Sequence, residues 1–379
     1  MKITLHIGQS KTGTSAIQSF LTLNRDALVQ QGILYPAVKV WGMPVEAGSH
    51  NAVADAIAGK TSYPFVTAQK YHEAFFGEAA RLDVSHMILS AEHFIGGEPR
   101  IWDVTDHEDH YKAYRTKILR TAEWLEGHDV DLIVYLRPHA SWLASSIAQN
   151  IRTTGLVAKI DASMTDMQFF HMFLPLLRYE KLLSAWREIL CPRKITIVPY
   201  RRDTLINGNS VDDFIAQVGI DGSTLPYAQK REVNSSLTRE YLEVQRELNK
   251  TPRPKSEIRT SIKCLEALSR SSSEPTSYTL SPDAKAAVEQ IAIEDNAALT
   301  REFGITVEPE PARDYPALQI NTVAAATARF RQEMSLPYYR RMRLIMELKD
   351  ILRRRALPLH TLLHRIKRAR VAHMQRETR

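Results

Sequence analysis

Residues 1–20 read MKITLHIGQSKTGTSAIQSF, and this stretch decides the fold. From Ile3 to Ile7 apolar and polar side chains alternate, which predicts a strand. Gly8-Gln9-Ser10-Lys11-Thr12-Gly13-Thr14-Ser15 follows as a turn rich in glycine and hydroxyls. Ala16, Ile17, Phe20 and Leu21 then recur at helical spacing. A strand, a small-residue turn and a helix make a phosphate cradle, because backbone N–H groups and the positive end of the helix dipole converge on one point. The turn nearly fits the pattern Gly, four residues, Gly, Lys, Ser/Thr of nucleoside-triphosphate sites. Gly8, Gly13 and Ser15 fit, but Thr14 holds the lysine position and the lysine stands earlier, at Lys11. A lysine after the second glycine reaches β/γ-phosphates. One on the loop itself suits a shorter anionic group near the first turn.

Working outward, two further apolar runs read as buried strands. His86 to Ser90 (HMILS) ends in Ser-Ala-Glu, and Asp131 to Leu136 (DLIVYL) ends in Arg137. The second is apolar at nearly every position, as in a parallel strand covered on both faces. Neither ends in the Asp of a Walker-B metal site, so the expected ligand is an anionic nucleotide held without Mg²⁺. Lys194 to Pro199 (KITIVP) is another strand, and Gly32 to Pro36 a short extended segment. Helices are expected over 51–58, with Asn51 as N-cap, and over 66–82, 111–126, 139–152, 166–190 and 211–218. Strands alternating with helices indicate an α/β protein with a parallel sheet flanked by helices and right-handed crossovers. From about 236 the strand signals stop. Residues 236–249 and 282–303 read as helices, the latter opened by Ser281-Pro282-Asp283. The expected organisation is an α/β domain over 1–235, a helical part over 236–330 packed on it, and a basic tail over 331–379.

Composition excludes several classes. The chain has 379 residues, 44% of them hydrophobic and 25% charged, enough for a sizeable globular core. Two cysteines, Cys191 and Cys264, give neither a disulfide framework nor a zinc site, and a reducing compartment is expected. No secretory signal and no membrane-spanning run is recognisable. The net charge of +7 is unevenly spread. Residues 338–379 hold 13 Lys/Arg against 3 Asp/Glu, which leaves 37 against 40 for the rest. A body-wide nucleic-acid footprint is therefore not expected. In the tail, Leu344, Ile345, Leu348 and Leu352 recur at helical spacing amid arginines. Such a helix either packs its apolar stripe on protein or lies on an anionic membrane surface.

Arg137-Pro138-His139-Ala140-Ser141-Trp142-Leu143-Ala144-Ser145 is the second informative stretch. An arginine at the carboxyl end of a parallel strand lies where open α/β sheets bind ligands. With Ser145 about two helical turns on, it makes a second anion site. One loop for a 5′ group and one Arg/Ser pair for a separate phosphate describe a nucleotide phosphorylated at two positions.

On these motifs the chain resembles the P-loop sulfotransferases that use 3′-phosphoadenosine 5′-phosphosulfate (PAPS), in particular the bacterial sulfotransferase-like proteins. The resemblance covers roughly residues 1–240. It implies a P-loop nucleoside-triphosphate-hydrolase-like three-layer sandwich with a helical C-terminal extension. It implies PAPS as donor, without metal, bound by Lys11, Thr12, Gly13, Thr14 and Ser15 at the 5′ end and by Arg137 and Ser145 at the 3′-phosphate. Arg231-Glu232-Val233-Asn234 stands in the approximate place of the family's late glycine-rich nucleotide loop. The implied acceptor is a hydroxyl or amine of a carbohydrate or glycolipid, received by the loops 39–50, 96–110 and 153–166. A base must take the acceptor proton, and Ser90-Ala91-Glu92-His93 offers Glu92, with His93 as the neighbouring alternative. His50 is expected to start a helix without a catalytic role, with action as a base in the acceptor site as the alternative. Lys11 is expected to stabilise the leaving phosphate. The rival readings are a P-loop nucleotide or sugar kinase and a nucleotide-binding protein without turnover. A cytoplasmic enzyme is expected, its tail helix packing on the body or on a second subunit, with contact to the inner membrane face as the alternative.

Overall fold

In the computed structural model the residues described are 1–37, 48–60, 67–97, 101, 106–154, 156, 161, 163–225, 237–272, 276–311 and 318–351. The chain divides into two compact units that interleave in sequence. The first comprises 1–147, 164–234 and 279–314, the second 148–163, 235–278 and 315–379. The 231–234 stretch, residues 39–47, 98–100, 102–105, 155, 157–160 and 162 of the expected acceptor loops, and residues 352–379 of the tail lie outside the described residues.

In the first unit β1 (Lys2–His6) is followed by α1 (Thr14–Leu23), α2 (Arg25–Gln30) and the short β2 (Ile33–Leu34). Then come α3 (Asn51–Ile57), α4 (Ala68–Arg81), β3 (His86–Ser90), α5 (His93–Gly96), α6 (His107–Trp124) and β4 (Asp129–Leu136). The helix α7 (His139–Thr153) gives its first half to this unit. The unit continues with α8 (Asp166–Leu177), α9 (Tyr179–Leu190), β5 (Lys194–Pro199) and α10 (Ser210–Val218). In the second unit lie α11 (Arg239–Asn249) and α12 (Lys255–Arg270), while α13 (Pro282–Phe303) returns to the first. The second unit also contains α14 (Ile320–Met334) and, over 337–351, a further helical stretch.

The five strands form one sheet in the order β2-β3-β1-β4-β5, and every pairing is parallel. Parallel pairing forces each connection to cross over the sheet, and the helices between strands do so. Register puts Thr4 beside Ile88, and His6 beside both Ser90 and Ile133. Alternation along the strands then sends these residues to one face and Leu5, Leu89 and Leu132 to the other. On the first face Ile88, Ile133 and Tyr135 pack with Ile17, Phe20 and Leu21 of α1 and with Val211 and Phe214 of α10. The residues of the other face are buried as well, so the sheet is covered on both sides, compatible with three layers. Because the chain runs from β1 to β2 and β3 on one side of it and then to β4 and β5 on the other, the crevice above the carboxyl end of β1 is a topological switch point.

Three expectations need correction. The helix expected over 166–190 is two helices, broken at Arg178 (φ −90°, ψ 71°). The apolar spacing runs through the break, but buried Asp295 of α13 accepts the N–H groups of Tyr179 and Glu180 (3.2 and 3.1 Å) and so starts a new helix there. The N-cap of α3 is His50, not Asn51, whose Oδ1 accepts the His93 N–H (3.1 Å). Helix α6 begins at His107, capped by Asp106, inside a stretch read as loop.

In the second unit α14 packs on α11 and α12. The second half of α7 is fixed within it by Arg152 with Glu266 (2.7 Å) and by the Asn249 side chain donating to the Ile151 carbonyl (2.6 Å).

Candidate functional site

Three neighbouring strands deliver the three sequence motifs to one edge of the sheet. The loop after β1 is central, Glu92 follows β3 on one side, and Arg137 follows β4 on the other. Backbone bonds hold the strand ends together: Ala91 N–H donates to the His6 carbonyl (3.1 Å), and Ile7 N–H to that of Ile133 (3.1 Å).

The loop turns through left-handed backbone at Gly8 (φ 28°), Lys11 (φ 72°) and Gly13 (φ 79°). For lysine that conformation costs about 1–2 kcal/mol. Gly13 caps α1, and a Cβ there would collide with the Ser210 hydroxyl. The close approach of α10 and the positive φ together demand glycine. As first-turn residues, Thr14 and Ser15 have N–H groups without intrahelical acceptors, the ordinary provision for an anion at a helix start.

Gln9, which the motif reading passed over, organises the loop. Its carbonyl accepts the Thr12 hydroxyl (2.6 Å) and the Thr14 hydroxyl (3.3 Å). Its buried side-chain Oε1 accepts the Arg137 N–H (2.8 Å), tying the loop to the end of β4. The Tyr179 hydroxyl donates to the Arg137 carbonyl (2.9 Å) and also meets Gln9. Thr12 is thus fully buried and its hydroxyl braces the loop internally, whereas Ser15 is exposed and Lys11 half-buried.

Glu92 sits half-buried beside Lys11 and hydrogen-bonded to Thr14. Burial raises its carboxyl above the usual carboxylate range, opposed by His93, Lys11 and the Thr14 hydrogen bond. His93 turns its Nδ1 to Asp55 Oδ1 of α3 (2.8 Å), and its carbonyl accepts the buried Lys117 ammonium (2.9 Å). The structure therefore brings Glu92 to the loop and shows His93 engaged with α3.

His50 is completely buried. Its Nδ1 accepts the Ser90 N–H (3.0 Å) and its Nε2 faces the Pro36 carbonyl (3.0 Å), which fixes a neutral ring. Burial lowers its pKa to about 4. It is a tie between the β3 end and the segment after β2. His6 on β1 donates or accepts at Nδ1 with the Ser90 hydroxyl (2.8 Å), and burial lowers its pKa to about 3.

Arg137 is held by Ser141: its Nε donates to Ser141 Oγ (3.0 Å). Ser145 is half-buried one helical turn farther along α7, on the same side at four-residue spacing. The Arg137 guanidinium also meets Glu310 Oε1 (3.4 Å), a carboxylate arriving from the segment after α13. Glu308 and Glu310 also lie near Arg201, just past β5. Behind Arg137, His139 Nε2 bonds buried Asp295 (3.0 Å) and stacks on Tyr179, so the arginine's backbone rests on a packed polar network. Among the described residues, no group of His, Cys, Asp and Glu side chains is arranged to hold a metal ion.

Chemically the strand edge offers a cation on a donor-lined loop, a carboxylate with a raised pKa next to it, and a guanidinium whose present partner is an exchangeable carboxylate. Compared with protein-family models, with curated proteins and with solved structures, the chain has no match.

Proposed function

We propose that this chain is a PAPS-dependent sulfotransferase of the cytoplasm that moves a sulfuryl group to a hydroxyl or amine. One observation carries the reading: adjacent strands β3, β1 and β4 end in Glu92, the Lys11 loop and Arg137, with Gln9 bridging loop and arginine. The strand order β2-β3-β1-β4-β5, with the loop leaving the central strand, supports a P-loop nucleoside-triphosphate-hydrolase-like arrangement. Thr14 at the position of the triphosphate lysine, and its hydroxyl turned to Gln9 and Glu92, count against a nucleotide or sugar kinase. The acceptor class, a carbohydrate or glycolipid, is taken from the family resemblance.

In this reading the acceptor oxygen attacks sulfur as the bond from sulfur to the 5′-phosphate oxygen breaks. Adenosine 3′,5′-bisphosphate leaves, and the acceptor proton passes to Glu92. A raised pKa suits that task, since a base works best when its pKa approaches the working pH. Lys11 and the N–H groups of Thr14 and Ser15 meet the charge that grows on the leaving phosphate. Arg137 takes the 3′-phosphate in exchange for Glu310, with Ser141 orienting the guanidinium and Ser145 within one turn of it. Thr12 and Gly13 shape the loop.

The test is transfer of labelled sulfate from PAPS to a panel of carbohydrate and glycolipid acceptors, run beside phosphoryl transfer from ATP with Mg²⁺. Sulfate transfer that Lys11→Ala abolishes supports the reading. Phosphoryl transfer in its place would establish the kinase alternative, and bisphosphate binding without transfer to any acceptor would leave a nucleotide-binding protein.

A further inference from the structure

The helix over 337–351 carries two apolar stripes, and only one of them is used. Tyr339, Met342 and Met346 are buried or half-buried, and with Asp350 they mark the side toward α12. Met346 meets the Thr260 hydroxyl (3.7 Å), Asp350 pairs with Arg259, and Tyr339 contacts Cys264. The helix is therefore fixed on its own unit by that stripe. Leu344, Leu348 and Ile351, spaced by four and three, occupy the opposite side with Ile345 beside them. All four are exposed, Leu344 at 61% and Leu348 at 59%. Single exposed leucines are ordinary, but a continuous row on one helix face is not.

The charges around the row identify its occupant. Arg340 and Arg341 are exposed within and beside it and Lys349 flanks it, while Arg343 pairs with Glu257 of α12 (3.5 Å). Of the two acidic residues on the helix, Asp350 is spent on Arg259, which leaves Glu347. The sequence that follows, 352–379, adds 9 Lys/Arg against 1 Asp/Glu. An occupant must accept leucine side chains and offer many negative charges. Nucleic acid offers no use for the leucines. A two-fold contact with a second copy would set the same basic helix against itself. The interface of an anionic bilayer meets both demands. Among the described residues no helix is long and apolar enough to cross a membrane.

We propose that Leu344, Ile345, Leu348 and Ile351 enter the interface of an anionic bilayer while Arg340, Arg341 and Lys349 engage lipid headgroups. The inference is independent of the catalytic reading. The test is co-sedimentation of the full chain with vesicles of phosphatidylcholine containing phosphatidylserine, and with phosphatidylcholine alone. Binding is expected to need phosphatidylserine and to weaken as salt shortens the Debye length. The double variant Leu344→Ser/Leu348→Ser keeps every tail charge, yet is expected to bind about tenfold more weakly. Its thermal midpoint, unchanged because both side chains are exposed, excludes unfolding as the cause. Equal binding of variant and wild type would overturn the proposal, as would equal binding to both vesicle types. A lipid-free dimer that the same variant dissolves would assign the face to a second copy instead.

Discussion

The strand edge of the first unit and the helix over 337–351 of the second both collect arginines, and they treat them in opposite ways. At the strand edge, Arg137 donates to Ser141, meets Glu310, and has its backbone fixed by Gln9 and Tyr179. On the helix, Arg340 and Arg341 stand exposed beside exposed leucines. A charge held at several points presents one geometry, and suits a small ligand whose phosphates must be placed to a fraction of an ångström. A row of solvated charges on a helix presents a field, and suits a surface with no fixed geometry. Substitutions at the edge should therefore change chemistry and affinity for a nucleotide, and substitutions on the helix should change neither.

The largest effect is expected at Glu92. Glu92→Gln should lower kcat by about 10²–10⁴-fold, the range for removing a general base. The acid limb of the wild-type profile should lie above the ordinary carboxylate value of about 4.3, because burial raises this pKa, and activity falls as pH drops through it. Wild-type kcat in the Glu92→Gln variant would pass the role to His93, already oriented by Asp55. Next is Arg137→Ala, expected to weaken adenosine 3′,5′-bisphosphate binding by about 10–100-fold with a smaller change in kcat, the loss of charge-assisted hydrogen bonds. Equal effects on a nucleotide lacking the 3′-phosphate would break the assignment.

Stability should follow the same division. His6 and His50 are buried neutral in the first unit, with pKa values lowered from 6.5 to about 3 and about 4. A lowered histidine pKa means the folded state disfavours the proton. The contribution is thus complete above pH 6.5 and is lost as pH falls toward the folded values. Thermal midpoints should drop by about 3–6 °C between pH 7 and pH 5, and His50→Gln should flatten part of that slope. An unchanged slope would mean that His50 is not a linked group.

A smaller effect is expected at Glu310, whose pair with Arg137 is part-exposed and worth at most about 1 kcal/mol. Glu310→Gln should tighten bisphosphate binding about two- to fivefold by vacating the guanidinium. Weaker binding would show that Glu310 orients Arg137 rather than competing for it. Smallest of all, Leu344→Ser/Leu348→Ser should leave bisphosphate affinity unchanged within error, which sets the two regions apart in a single pair of titrations.

What the sequence made legible follows from the range of the interactions involved. Continuous apolar runs at 86–90 and 131–136 announced parallel strands because burial on both faces is written into every position. Glycines 8 and 13 and Lys11 announced the loop because its geometry is local. Gln9 escaped notice because its partner, the Arg137 N–H, is 128 residues away. Ser141, which accepts from the Arg137 Nε, drew no notice, since that contact depends on the entry angle of α7. The break at Arg178 came from Asp295, 116 residues on from Tyr179. Periodicity pointed to Leu344, Ile345, Leu348 and Leu352 as the apolar stripe of the tail, yet the side that packs on α12 carries Tyr339, Met342 and Met346, a choice that depends on the partner helix.

The most direct test of the strand-edge assignment is calorimetric titration of the full chain with adenosine 3′,5′-bisphosphate, beside ATP with Mg²⁺. The arrangement of Lys11, Glu92 and Arg137 predicts metal-independent binding of the bisphosphate, about tenfold or more tighter than of ATP, and loss of that preference in Arg137→Ala. Tight binding of ATP with Mg²⁺ and none of the bisphosphate would contradict it.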